Sequence, residues 1–222
     1  MYASDYRRIA REKLRGRWAV AVGAALVASL LGGLLAGTNA GLELRVSENV
    51  LRQMPLEIRL LFIRLAAIAS MLALVQFIIG GVVRQGYCQF LLDLHDGREP
   101  RVNTLFSKFD RFGDGFVLML LQGIYIALWS LLFVIPGIIA AYRYAMAPYI
   151  MLEHPGMRPS EAIRASKAMM DGHKGQLFCL GLSFIGWGIL CIFTLGIGYL
   201  WLNPYVNAAY TAFYREISKE AL

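Results

Sequence analysis

The chain has 222 residues, 58% of them hydrophobic and only 17% charged, with a formal net charge of +7. That balance excludes an ordinary soluble domain and places the chain in the membrane class before any motif is considered. It also removes nucleic acid as the explanation of the charge, because lysines and arginines that flank apolar runs are accounted for by membrane topology.

The first seventeen residues carry Arg7, Arg8, Arg11, Lys13, Arg15 and Arg17. At helical spacing Tyr2, Tyr6, Ile9, Ala10 and Leu14 share one side, with Arg7, Arg8, Arg11 and Arg15 opposite. This is the pattern of a helix lying in the headgroup plane of an anionic bilayer. The apolar run 18–36 follows. It exceeds the core of a signal peptide, and "TNA" at 38–40 is a poor cleavage site, so it reads as an uncleaved transmembrane helix. Small residues recur along it at every fourth position: Ala21, Ala25, Ser29, Gly33 and Gly37. Such a ladder lets helix backbones approach closely, either inside the chain or against a partner helix.

A second spanning helix is predicted over 60–83, since about 20 apolar residues cross the hydrocarbon. The segment 84–115 is then a basic loop containing "DLHDGRE" (93–99). Asp93, His95, Asp96 and Glu99 could in principle hold a divalent metal. The Asp-Gly also resembles the start of the CDP-alcohol phosphotransferase signature, but the later aspartates of that signature are missing. A solvated turn with Asp96-Gly97 at its tip is the expected reading.

The apolar stretch 116–152 is too long for one crossing, and "VIPGI" divides it at Pro136-Gly137 into helices over 116–134 and 137–152. Next comes "PSEAIRASKAMMDGHKGQLF" (159–178), which opens as an amphipathic helix. Ala162, Ile163, Ala165, Ser166, Met169 and Met170 share one face, and Glu161, Arg164, Lys167 and Asp171 the other. Gly172 is the hinge from which the chain turns into the bilayer. The last apolar stretch divides at "TLGIG" (194–198) into helices over 177–195 and 199–217. A weak internal repeat emerges, in which an interfacial segment, a glycine and an aromatic precede each outward helix: "KLRGRW", "SKFDRFGDGF" and "SKAMMDGHKGQLF".

The expected fold is therefore a single all-α integral membrane domain over 1–222. It has six transmembrane helices in three hairpins, cytoplasmic interfacial amphipathic helices, and both termini in the cytoplasm. That topology keeps 18 of the 22 lysines and arginines inside, as the positive-inside bias requires.

Ionisable groups within a bilayer are costly and are functional candidates by default. Arg143 falls near the middle of the predicted helix 137–152. Gln76, Gln122, Asn203 and Asn207, on other predicted helices, are polar groups that could answer it. Pro148 and Pro204 could free backbone carbonyls beside them. This cluster could bind a lipid headgroup or small anion, or could be an internal network that fixes helix packing. Arg7, Arg8, Arg11, Arg15, Arg164, Lys167 and Lys174 are candidate contacts to anionic headgroups. Cys88, Cys179 and Cys191 fit neither a disulfide framework nor a zinc site. There is no Walker loop, HExxH, GxSxG or CxxC, so no catalytic, cofactor-binding or metal residue is assigned and no cofactor is expected.

The C-terminal half, from "IPGIIAAYRYAMAPY" through "SFIGW", "LGIG", "NPY" and "FY", resembles an uncharacterised integral-membrane family of Gram-positive bacteria known as domain of unknown function 975. The opening "DYRRIAREKLRGRW" is similar to that family's N-terminus. The family is distantly similar to membrane domains found beside glycerophosphodiesterases, whose catalytic module is absent here. The resemblance implies membrane class and topology, and supplies no catalytic residues. The expected role is non-enzymatic, an accessory or interaction protein of the bacterial cytoplasmic membrane. The alternative is a small transporter or lipid-handling protein using the interior around Arg143.

Overall fold

A computed structural model of the chain describes residues 2–32, 55–99, 101–194 and 196–220. Helix α1 (Ala3–Leu14) ends at Gly16, whose φ of 78° is a left-handed conformation that glycine adopts without penalty. The chain then turns through 103° into α2 (Trp18–Gly32). Helix α3 (Leu56–His95) is continuous for 40 residues, about 60 Å at 1.5 Å per residue. Short 3-10 turns at Val102–Phe106 and Phe109–Arg111 lead into α4 (Phe112–Leu132). A single extended residue, Phe133, separates α4 from α5 (Val134–Tyr144), and α6 (Ala147–Glu153) follows after a short break. Helix α7 (Pro159–Met169) starts with proline at its first position, where the missing N–H costs nothing. Gly172, at φ 86°, turns the chain into α8 (Lys174–Leu182) and α9 (Ile185–Phe193). Helix α10 (Tyr199–Glu220) completes the described chain.

These helices sort into two halves by what they expose. Large apolar side chains face outward along α3 from Leu56 to Ile78, along α4 from Val117 to Leu132, along α5 up to Ile139, and along α9. This is an apolar band. The rest is a close-packed half whose axis is α10. There Ala208, Ala209, Ala212, Phe213, Tyr214 and Ile217 are buried against α1, α2 and the second half of α3. Tyr6 meets Phe213 edge to face, with ring centroids 5.4 Å apart.

The six-span, three-hairpin expectation is overturned. Among the described residues, three segments are long and apolar enough to cross a membrane: Leu56–His95, Val102–Leu132 and Lys174–Phe193. A fourth is reached only if the bent pair α1–α2 counts as one span. The predicted helix 137–152 fails because α5 has 11 residues, about 16 Å, half of a hydrocarbon core. The predicted helix 199–217 exists as α10, but Asn203, Asn207, Thr211 and its tyrosines make it too polar, and one face of it is buried.

The turn between α4 and α5 is Phe133 rather than Pro136-Gly137. Pro136 sits in the first turn of α5, where no N–H bond is lost. Gly137 lets α5 approach α4, because a Cβ there would lie 2.1 Å from Ser130 Oγ. Nor do the amphipathic helices lay their apolar faces on lipid. Tyr6, Ala10 and Leu14 of α1, and Ala162, Ile163 and Ser166 of α7, are buried by the chain's own helices. Ala21, Ala25 and Ser29 of the small-residue ladder are likewise buried in this fold, where α2 packs on α3 and α10. Gly33 and Gly37 lie outside the described residues.

Candidate functional site

The polar groups of interest collect where the apolar band meets the close-packed half. Helix α5 stops at Tyr144, leaving carbonyls of its last turn without intrahelical partners. Pro148, four residues after Tyr144, has no N–H to offer that carbonyl. Two side chains from other helices fill the gap. Gln122 Nε2 of α4 donates to Tyr144 O at 2.6 Å, and Ser166 Oγ of α7 donates to Arg143 O at 2.8 Å. Both donors are buried. We therefore expect Gln122→Leu to destabilise the protein by about 1–3 kcal/mol, the cost of an unpaired buried carbonyl. Pro148→Ala in that background, which restores a local N–H, should recover part of the loss in thermal unfolding.

Arg143 itself extends from this seam toward the α7–α8 hinge. Its Nη2 lies 3.8 Å from Asp171 Oδ1, while Lys174 Nζ donates to the same oxygen at 2.6 Å. The Lys174 hydrogen bond, with smaller help from the Arg143 charge, holds the Asp171 carboxyl below its ordinary value. Arg143 Nε is buried and has no hydrogen-bond partner. Two cations thus share one carboxylate, and a guanidinium N–H is left over. Because α5 is short, Arg143 lies at the polar edge of the band, where its side chain is 31% exposed, rather than at the middle of a span.

The five residues predicted as one cluster fall into three groups. Gln122 reaches the backbone next to Arg143, at Tyr144 O, while the Arg143 side chain runs to Asp171. Gln76 Nε2 donates to Leu30 O at 2.8 Å and ties α3 to α2. Asn207 Nδ2 donates to Asn203 O and Oδ1 within α10. Of the predicted headgroup contacts, Arg8, Arg11, Arg15, Arg164 and Lys167 are exposed, and Arg7 and Lys174 are partly buried.

A second polar centre escapes sequence reasoning. Arg215 of α10 donates through Nη1 to Glu153, at the end of α6, and through Nη2 to Asp96, just past the end of α3. Tyr214 Oη donates to the other oxygen of Glu153, and burial followed by this bond pushes the Tyr214 hydroxyl above its ordinary value. The clasp joins three helices. Within "DLHDGRE", Asp93 is engaged by Gln89 and Arg98, Asp96 by Arg215, and Glu99 by Arg101. Gly97, at φ 80°, supplies the expected turn. Among the described residues, no three His, Cys, Asp or Glu side chains gather to hold a metal ion.

Compared with known proteins, the chain matches the family described as a protein of unknown function (DUF975), over residues 1–136 and 131–221. It belongs to that family. The two matched segments together span nearly the whole chain, so the band, the seam and the Arg215 clasp all lie within DUF975 sequence. The match carries neither a bacterial source nor a link to glycerophosphodiesterases. No curated protein and no solved structure matches the chain.

Proposed function

We propose that this DUF975 protein is a membrane-embedded, non-enzymatic lipid-handling protein whose Arg143 seam engages anionic headgroups. One observation carries the reading: at the edge of the apolar band, Arg143 and Lys174 share the single carboxylate of Asp171. That arrangement has spare cationic capacity where headgroups lie. The same seam would serve a small transporter of anions, which is the second reading. The close-packed half faces the cytoplasm in this proposal. Among the described residues, Arg59 and Arg64 are the only lysines or arginines within the outward apolar stretches, in keeping with the positive-inside bias.

The test compares melting temperatures of the purified protein in nanodiscs made with and without an anionic phospholipid. The wild-type protein should gain stability from the anionic lipid, by the mass-action term for a ligand that binds only the folded state. Arg143→Ala should lose a measurable part of that increment, and Arg143→Lys should lose less. A full increment in Arg143→Ala would remove the seam from the function.

A further inference from the structure

A cleft of about 410 Å3 opens between α1, α9 and α10, away from the Arg143 seam. Its walls are almost wholly apolar, and three of the chain's four tryptophans line it: Trp18, Trp187 and Trp201. At one end stand Arg7 and Arg11, one turn apart on α1. Arg7 Nη1 donates to Ser183 O at 3.4 Å, which sets the height of that end against the start of α9. The other end is the turn at Thr194 and Gly198. From Ser183 to Thr194 is eleven residues, about 16 Å of helix, close to the depth of one leaflet of a hydrocarbon core about 30 Å thick.

Charge and shape together select the occupant. Neither Arg7 nor Arg11 has a carboxylate partner among the described residues, since the nearby Asp5 pairs with Arg8. The cationic end therefore lacks an anion. The apolar wall beneath it opens outward, with Trp187 and Trp201 each about half exposed and Leu190 more so. On a chain that crosses the bilayer, such a wall faces acyl chains.

We infer that the cleft holds one anionic phospholipid of the surrounding leaflet, its phosphate between Arg7 and Arg11 and an acyl chain along Trp187 and Trp201. The inference takes only its class of ligand from the proposed function, and it concerns a different face of the protein. Helix α1 gains a specific task. Its apolar side is committed to α10, and its arginines hold a headgroup above a formed groove, which differs from spreading charge over a membrane surface.

The test uses the full chain carrying Trp129→Phe, so that only groove tryptophans emit. It is reconstituted in bilayers where either the anionic or the zwitterionic phospholipid carries brominated acyl chains, at equal mole fraction. Brominated anionic lipid should quench at least twofold more strongly than brominated zwitterionic lipid. Arg7→Gln/Arg11→Gln should abolish the difference, and Arg164→Gln/Lys167→Gln should leave it. Arg11→Gln alone, at an exposed position, keeps the test valid if the double variant fails to fold, and should reduce the difference.

Equal quenching by both lipids would overturn the inference. So would a difference that survives removal of the arginines. A difference lost equally in both double variants would reduce the effect to diffuse surface charge and also overturn it. If Arg143→Ala still loses the anionic-lipid increment in melting temperature in any of these cases, lipid handling at the seam stands and only the groove falls.

Discussion

Replacing Arg215 by alanine should destabilise the folded protein by about 2–3 kcal/mol, measured by thermal or denaturant unfolding in one detergent. Breaking a buried ion pair from one side costs about 3–5 kcal/mol, because the partner charge is left unpaired. Here the three side chains are roughly a quarter exposed, 23% for Arg215 and 27% each for Asp96 and Glu153, so solvent screens part of that penalty. Two carboxylates are orphaned at once, which keeps the effect large. Arg215→Lys should fall between the two, since an ammonium keeps the charge but cannot reach both carboxylates as a planar fork does. Glu153→Gln added to Arg215→Ala should cost less than the sum of the single changes, because the second change removes a charge that the first had stranded. Unchanged stability in Arg215→Ala would show that the clasp contributes nothing to holding α3, α6 and α10 together.

The clasp also shows what a linear reading can and cannot deliver. Helix starts marked by local chemistry are legible at Trp18 after Gly16, at Pro159 as a first-turn proline, and at Tyr199 after Gly198, whereas the helix after Gly172 starts at Lys174, three residues before the expected 177. These signals act within a few residues, and apolar periodicity did the rest. Pro136-Gly137 misled because the same dipeptide can end one helix or begin another. Only the packing of Gly137 on Ser130 decides between them. Residue count stands in for depth only when a helix runs straight through, and the helix that carries Arg143 ends after 11 residues.

The candidate site was legible in part. Gln122 meets the Tyr144 carbonyl that Pro148 leaves free, one residue from Arg143, while Gln76, Asn203 and Asn207 make bonds elsewhere. Arg215 and the groove were invisible for a common reason. Each joins residues far apart in sequence: Asp96 is 119 positions from Arg215, and Arg7 is 176 from Ser183. The tryptophans at 18, 187 and 201 were the available hint. No periodicity places the first beside the other two.

A second large single-residue effect is expected at Gly86, in a stretch that the sequence assigns to a loop. "GGVVRQGYCQF" looks like the end of a span, with glycines and an arginine. Yet α3 continues through it with Arg84 turned outward and Gln85, Gly86, Tyr87 and Cys88 buried. The glycines are where neighbours come close. A Cβ on Gly81 would lie 2.7 Å from the carbonyl oxygen of Gly115, and one on Gly86 would lie 2.0 Å from that of Leu105.

In a free helix Gly→Ala is worth about 1 kcal/mol of stabilisation. At Gly86 the clash decides instead, because the next nearest atoms, Leu105 C at 2.6 Å and Cα at 2.7 Å, are also backbone and cannot rotate aside. The 3-10 segment beneath would have to shift, and with it the wholly buried Leu105. Overpacking of this kind costs about 1–3 kcal/mol and occasionally more. We expect a net loss of at least about 2 kcal/mol in Gly86→Ala, seen as a lower melting temperature or failure to accumulate folded protein. Gly123→Ala is the matched control, since nothing lies within 4 Å of a Cβ there. It should be neutral or stabilising. If both changes behave alike, the second half of α3 is not packed against residues 102–106, and the close-packed half would lose one of its walls.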